Sequence, residues 1–310
     1  MSELVEKLQA GDKLTLTRAI STVENGGPRA AAVLRDINLH LGGARVLGVT
    51  GPPGAGKSTL VNQMIHFYRN LGKRVAIVAV DPSSSLSGGA VLGDRIRMQE
   101  FYGDDGVYIR SMASRGMVGG LSAATNDTVR VLDAARFDLI VIETVGAGQD
   151  EVSIAKAAQT TILVEVPGLG DDVQSIKAGI LEIADVLVVN KADREGADKL
   201  ATHLRTMLSY SHYDWKPPIV KTIASQGDGT AQLAAAVADH FTYLQGSGRL
   251  QERNRHALHD ELVERVKAEL ATRALQRLNS AEGSKLLDDL LSRETDISTA
   301  AQQLIAEVSH

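Results

Sequence analysis

Six stretches of the chain are almost continuously apolar and rich in β-branched residues, and helical stretches lie between them. Strands that are buried on both faces of a parallel sheet have this unbroken apolar character, because helices cover both faces. Strands that alternate with helices predict an α/β domain with a doubly wound, mostly parallel sheet over residues 44–245. The six predicted strands are 45–50, 74–80, 137–142, 161–166, 185–189 and 218–222.

The N-terminal part of the chain, residues 1–43, has a helical pattern and predicts a helical extension before the α/β domain. Apolar residues recur at helical spacing from Leu16 to Val23. Asp12 is positioned to cap this helix, and the Gly26-Gly27-Pro28 sequence is expected to end it.

The C-terminal part, residues 246–310, predicts a second helical extension with three apolar stripes. The stripes begin at Leu258, Leu286 and Ile297. Amphipathic helices need a partner surface, which could be the chain's own α/β domain or a second copy of the chain. We interpret residues 246–310 as a dimerisation extension and predict a homodimer.

The segment from Gly51 to Thr59, Gly-Pro-Pro-Gly-Ala-Gly-Lys-Ser-Thr, fits the phosphate-loop pattern G-x-x-x-x-G-K-[ST] between a predicted strand and a predicted helix. Glycines let backbone N–H groups surround a phosphate chain, and the helix N-terminus adds a positive dipole end. Lys57 is expected to reach the terminal phosphates and Ser58 to hold Mg²⁺. The residues expected to contact the nucleotide here are Gly51, Pro53, Gly54, Ala55, Gly56, Lys57, Ser58 and Thr59.

The sequence Asn190-Lys-Ala-Asp193 follows a predicted strand and fits N-K-x-D, a guanine-reading pattern. The Asp193 carboxylate can accept hydrogen bonds from both N1–H and the exocyclic amine of guanine, a donor pair that adenine lacks. Lys191 can lie along the base, and Asn190 can tie the loop to its neighbours. After the next strand, the backbone of Ile223, Ala224 and Ser225 could close over the guanine oxygen. GTP and GDP are therefore the predicted ligands.

Three acidic residues, two directly after predicted strands and one in a predicted loop, are candidates for an Mg²⁺ site together with Ser58. Glu143 begins the sequence Glu-Thr-Val-Gly, in which the acid would orient the Mg²⁺ shell and the Gly146 N–H would sense the terminal phosphate. Asp81 and Asp94 are the other two candidates. The candidate catalytic residues are thus Lys57, Glu143, Gly146 and Asp94.

Composition excludes several other classes of protein. The net charge of −5, without a long basic run, argues against a nucleic-acid-binding protein. The chain has no cysteine, which excludes thiol catalysis and metal sites built from thiolates. There is no apolar stretch of membrane-spanning length, so no membrane partner is expected. The acidic N-terminus shows no targeting pattern, which predicts a cytoplasmic location.

The sequence resembles the MeaB/ArgK family of G proteins, whose human member is the methylmalonic aciduria type A protein. The resemblance covers most of residues 44–245, and the Glu-Thr-Val-Gly-x-Gly-Gln run is its most specific part. The matching stretches are 51–59, 80–84, 88–89, 92–94, 114–116, 119–121, 143–149, 170–174, 177–182 and 190–193.

This resemblance implies a homodimeric GTPase with helical extensions at both ends. It also implies that the protein gates delivery of adenosylcobalamin to a B12-dependent acyl-CoA mutase and protects that mutase from inactivation. The chain departs from the family pattern at Ser85, Ser87 and Ile223. These departures leave open whether the partner is methylmalonyl-CoA mutase or a related isobutyryl- or 2-hydroxyisobutyryl-CoA mutase.

Two other functions compete with this interpretation. The first is an ATPase or kinase associated with amino-acid transport, which the guanine-reading Asn190 and Asp193 argue against. The second is a nickel-inserting GTPase of related architecture. Such proteins rely on cysteine or histidine clusters, whereas this chain has no cysteine and eight scattered histidines.

Overall fold

The computed structural model describes residues 2–81, 99–113, 123–144, 150–168, 181–210 and 213–308. The chain divides into two compact units, residues 1–253 and residues 254–310. The described helices are α1 (Glu3–Gln9), α2 (Lys13–Asn25), α3 (Gly27–Ile37), α4 (Lys57–Asn70), α5 (Ala123–Ala134), α6 (Asp150–Ala157), α7 (Ala197–Ser209), α8 (Thr230–Gly246), α9 (Arg249–Leu278), α10 (Ala281–Leu291) and α11 (Ile297–Val308).

The first unit is built on a seven-stranded sheet in which every described pair of neighbouring strands is parallel. Its strands are β1 (Arg45–Thr50), β2 (Val75–Asp81), β3 (Val107–Ala113), β4 (Leu139–Thr144), β5 (Thr160–Glu165), β6 (Val186–Val189) and β7 (Ile219–Lys221). The strand order is β3-β2-β4-β1-β5-β6-β7, which places β1 at the centre. The predicted doubly wound α/β fold is confirmed.

Strand β3 was not among the six predicted strands, and its position in the sheet explains why. It is an edge strand that pairs only with β2 among the described strands. Its sequence, Val-Tyr-Ile-Arg-Ser-Met-Ala, lacks a continuous apolar run, and residues 108–111 in its middle are only partly buried. Arg110 on this strand forms an ion pair with Glu24 of α2 instead.

Alternate residues of the central strands enter two different cores, as the two-residue period of a strand requires. In β1, Val46 joins the core that contains α1, α2, α3 and α5, whereas Leu47 and Val49 join the core under α4 and α8. A third cluster packs α7 against β5 and β6. The N-terminal helices therefore belong to the core of the first unit.

The boundaries of α2 follow from local sequence. The Asp12 carboxylate accepts hydrogen bonds from the backbone N–H groups of Leu14 and Thr15, at 2.9 and 3.1 Å, and so caps the helix. The helix ends at Asn25 because Gly26 has a positive φ of 69°. The expected cap and stop are both confirmed, and α3 begins at once after them.

The second unit consists of most of α9 together with α10 and α11. Ser280 caps α10, and Asp296 accepts from the N–H groups of Ser298 and Thr299 at the start of α11. No residue of α9 is buried, and its apolar stripe, Leu258, Leu262, Val266 and Leu270, is exposed. Among the described residues, no helix is both long enough and apolar enough to cross a bilayer.

Candidate functional site

The sequence motifs meet at one edge of the sheet because parallel strands all end there. Strand β1 ends at Thr50, directly before the phosphate loop (residues 51–59). Strand β4 ends at Thr144, one residue after Glu143. Strand β6 ends at Val189, directly before the base-reading loop (residues 190–193).

The phosphate loop requires glycine at two positions because neighbouring groups approach the backbone closely. A Cβ atom on Gly51 would lie 2.1 Å from the carbonyl oxygen of Val164 in β5. A Cβ atom on Gly56 would lie 2.4 Å from the side-chain amide nitrogen of Asn190. Both glycines also have positive φ angles, 140° and 85°, so side chains are disfavoured for conformational reasons as well.

Lys57 lies at the start of α4, where the unpaired N–H groups of the first helical turn create a partial positive charge. Its side chain is buried, and Nζ donates to the carbonyl oxygens of Gly51 and Pro52 at 2.7 and 3.0 Å. The ammonium group is therefore folded back over the phosphate loop. The neighbouring Ser58 and Thr59 are exposed at this edge of the sheet.

Glu143 and Ser58 are brought together although 85 residues separate them in the chain. Glu143 is buried, and two residues earlier Val141 packs in the core under α4. Since alternate side chains of a strand share a face, Glu143 points toward the same helix. The Ser58 hydroxyl donates a hydrogen bond of 2.5 Å to Glu143 Oε1.

The remaining candidates for the Mg²⁺ site fall largely outside the described residues. Asp94 and Gly146 lie outside them. Asp81 is the last residue of β2, at the same edge of the sheet, but its side chain is not described. The described part of the chain contains no group of three or more histidine, aspartate or glutamate side chains that could hold a metal ion.

The base-reading loop is hydrogen-bonded directly to the phosphate loop. The side chain of Asn190 is buried, and its Nδ2 donates to the carbonyl oxygen of Ala55 at 2.8 Å. Lys191 has a left-handed φ of 54°, and its Nζ donates to the carbonyl oxygen of Gly54 at 2.7 Å. The phosphate loop and the base-reading loop are thus one connected structure.

The segment that follows β7 lies beside this connection. The Ala224 N–H donates to Asn190 Oδ1 at 3.1 Å, and the Ile223 N–H donates to the carbonyl oxygen of Asp228 at 3.0 Å. Asp193 and Ser225 are exposed at the same edge. The structure therefore brings the three predicted segments together around Asn190, leaving the Asp193 carboxylate accessible.

Sequence reasoning missed Thr222, which is buried next to Asn190. Its hydroxyl donates to Asn190 Oδ1 at 3.0 Å. The signal available in the sequence was a polar residue at the end of a predicted strand. That signal does not identify the partner, which lies 32 residues away in the chain.

The sheet order, the phosphate loop between β1 and α4 and the base-reading loop after β6 define a P-loop GTPase. The chain also matches the family model described as "Methylmalonyl Co-A mutase-associated GTPase MeaB" over residues 16–279. It belongs to this family, and the predicted family resemblance and GTPase activity are confirmed.

Individual relatives agree with this assignment. A protein of Pyrococcus horikoshii classed as a GTPase is 44% identical over 99% of this chain and 98% of its own length. The GTPase ArgK of Escherichia coli K12 is 36% identical over 81% of this chain and 79% of its own length. A crystal structure titled "LAO/AO transport system kinase" is 27% identical, covers 99% of this chain and 97% of its own, and has a TM-score of 0.70.

Proposed function

We propose that this GTPase is a chaperone that gates adenosylcobalamin delivery to a B12-dependent acyl-CoA mutase and protects that mutase. The partner class is supported by the family description, which names association with methylmalonyl-CoA mutase. The observation that carries the nucleotide part is the Asn190–Ala55 hydrogen bond, which holds the base-reading loop against the phosphate loop. A related isobutyryl- or 2-hydroxyisobutyryl-CoA mutase is an alternative partner of the same chemical class.

In this proposal, the phosphate loop and the N-terminus of α4 hold the GTP phosphates. The Lys57 ammonium group is hydrogen-bonded to the Gly51 and Pro52 carbonyl oxygens of the loop. On GTP binding it would move from these carbonyls to the terminal phosphate oxygens. There it would offset negative charge on the phosphoryl group that is transferred to water. The Gly146 N–H would report the presence of the terminal phosphate.

Mg²⁺ is the proposed metal, and the residues at the sheet edge fit it. The Ser58 hydroxyl and the Glu143 carboxylate are oxygen ligands, which Mg²⁺ prefers, and they already lie within hydrogen-bonding distance of each other. Asp81 and Asp94 are the further proposed ligands or holders of Mg²⁺-bound water. When bound, Mg²⁺ would supply positive charge against the phosphate oxygens.

Guanine recognition is assigned to the base-reading loop and the segment after β7. Asp193 would accept both guanine N–H donors, and Lys191 would lie along the base. Asn190 would keep both loops in place, and the backbone of Ile223, Ala224 and Ser225 would face the guanine oxygen.

A homodimer in the cytoplasm completes the proposal. The exposed apolar stripe of α9 supports a second copy of the chain as its partner surface. The net charge of −5 disfavours binding to nucleic acid, and we propose neither nucleic acid nor membrane as a partner.

The experiment that tests the function combines capture with kinetics. The tagged full chain should co-purify with an acyl-CoA mutase from its native source. Single-turnover GTP hydrolysis should then be faster with that mutase than without it, and Lys57→Ala provides the control for contaminating hydrolysis. Hydrolysis that is fast in the isolated protein and unchanged by the mutase would contradict the gating role. Transfer of the γ-phosphate to a protein instead of water would support the kinase alternative.

A further inference from the structure

All of the polar groups of Thr222 form hydrogen bonds with residues 189–192, the end of β6 and the base-reading loop. Its backbone N–H donates to the carbonyl oxygen of Val189 at 2.9 Å, and its own carbonyl oxygen accepts from the Ala192 N–H at 3.0 Å. Its hydroxyl donates to Asn190 Oδ1 at 3.0 Å. The backbone N–H, the carbonyl oxygen and the hydroxyl of Thr222 thus each hydrogen-bond to a different residue of the segment 189–192.

The orientation of the Asn190 amide follows from its partners. A backbone carbonyl can only accept, so the atom that contacts the Ala55 oxygen is the nitrogen. A backbone N–H can only donate, so the atom that contacts Ala224 is the oxygen. The Thr222 hydroxyl must therefore donate to Asn190 Oδ1, which fixes the amide with its N–H group toward the phosphate loop.

A closed turn keeps Thr222 in this position. The turn runs from Ile223 to Gly229, and a hydrogen bond from the Ile223 N–H to the Asp228 carbonyl oxygen closes it. Gly229 has a positive φ of 81°, and a Cβ atom there would lie 2.9 Å from Thr222 Cγ2 and 2.3 Å from the Lys221 carbonyl oxygen. Only glycine allows the chain to pass so close to Thr222.

We propose that Thr222 is a positioning residue for guanine nucleotide binding, acting through the Asn190 side chain. This inference rests on the proposed guanine site and adds a residue outside its sequence motifs. Without the hydroxyl, the Ala224 N–H is the only remaining partner of Asn190 Oδ1 among the described residues. The amide that joins the two loops is then held less firmly. The bound nucleotide should then be released faster.

The test measures release of a fluorescent GDP analogue from the full-length protein. Thr222→Val keeps the shape of the side chain and removes only the hydroxyl. We expect release to be about five- to tenfold faster, the effect of one buried hydrogen bond. Thr222→Ser, which restores the hydroxyl, should return release to near the wild-type rate. At saturating GTP, kcat should be unchanged in Thr222→Val while KM rises.

Thr161→Val is a matched control, because Thr161 is equally buried but its hydroxyl has no hydrogen-bond partner among the described residues. It should leave GDP release unchanged. Thr222→Ala, which also lacks the hydroxyl, replaces Thr222→Val if that variant does not fold, and it should release GDP as fast. Unchanged release in the folded hydroxyl-free variant, or equal acceleration in Thr161→Val, would overturn the inference. If wild type binds GDP no better than ADP, the proposed guanine site itself fails.

Discussion

Ser58 and Glu143 are joined by a direct hydrogen bond at the edge of the sheet, although one lies in the first turn of α4 and the other near the end of β4. The pairing of β1 with β4 places Val49 beside Glu143, so the carboxylate stands next to the phosphate loop that follows β1. Two side chains with oxygen atoms, which Mg²⁺ prefers as ligands, are therefore held together by the core of the domain.

Ser58→Ala should raise the Mg²⁺ concentration needed for GTP binding by about tenfold or more, since one ligand is lost and the remaining carboxylate loses its hydrogen bond. Binding of GDP without Mg²⁺ should change much less. Calorimetric titration at several Mg²⁺ concentrations measures both. Ser209→Ala, an exposed serine at the end of α7, is the control. An unaltered Mg²⁺ requirement in Ser58→Ala would remove Ser58 from the proposed metal site.

Lys57→Ala should reduce single-turnover GTP hydrolysis by about 10²–10³-fold, the usual effect of removing one group that stabilises developing charge. The buried position of Lys57 over the phosphate loop is the structural basis. Lys73→Ala is the control, because Lys73 pairs with Asp138 at the opposite edge of the sheet. Bound GTP must be confirmed in each sample, and near-normal turnover in Lys57→Ala with GTP bound contradicts the site assignment.

Asp193→Asn should weaken GDP binding and leave ADP binding unchanged. Each charge-assisted hydrogen bond lost from the carboxylate costs about 1.5–3 kcal/mol. Asp193 is exposed, so the substitution should not disturb the fold. Glu195→Gln, an exposed change of the same kind two residues later, is the control. Parallel GDP and ADP titrations give the selectivity, and equal affinity for the two in wild type would refute guanine specificity.

The sequence was sufficient to predict those elements whose signal lies within one short stretch of the chain. Strands β1, β2 and β4 have continuous apolar runs because they are buried on both faces, whereas β3 lies at the sheet edge and could not be recognised in this way. The phosphate loop and the base-reading loop were found because their residues are contiguous. Thr222 was missed since its role depends on Asn190, a contact that exists only once β6 and β7 pair.

The ion pair that begins α9 was also beyond sequence reasoning. Arg253 donates to both carboxylate oxygens of Asp185 at the start of β6, at 2.8 and 2.6 Å. The two residues are 68 positions apart, and neither belongs to a sequence motif. The sequence does not show which residue pairs with Arg253, because that contact exists only in the folded first unit.

His240 should make the protein less stable as pH falls from about 6.5 to 4. The pKa of His240 is lowered to about 4, chiefly by burial, while the nearby Asp185 raises it and Arg253 lowers it. Its other neighbours are Thr160, Trp215 and Tyr243. Because the folded-state pKa lies below the unfolded value, the unfolded chain binds the proton first, and stability is lost as pH falls through this range.

The measurement is urea unfolding at several pH values between 4 and 7. His240→Asn should show a smaller decrease of the free energy of unfolding over this range than wild type. His256→Asn is the control, because His256 lies exposed on α9. An identical pH dependence in wild type and His240→Asn would mean that other groups cause the loss of stability.

Leu262→Lys should convert the proposed homodimer to monomers. Leu262 lies at the middle of the α9 stripe and is 63% exposed, and lysine is a good helix former, so helix α9 itself should persist. A stable interface buries about 1,600 Å² in total, and a charge placed inside it without a partner is strongly unfavourable.

Light scattering at micromolar concentration should give twice the chain mass for wild type and a single chain mass for Leu262→Lys. Leu39→Lys, at a 90% exposed leucine of the first unit, should remain dimeric. A wild-type monomer would exclude the homodimer, and a Leu262→Lys dimer would place the interface elsewhere.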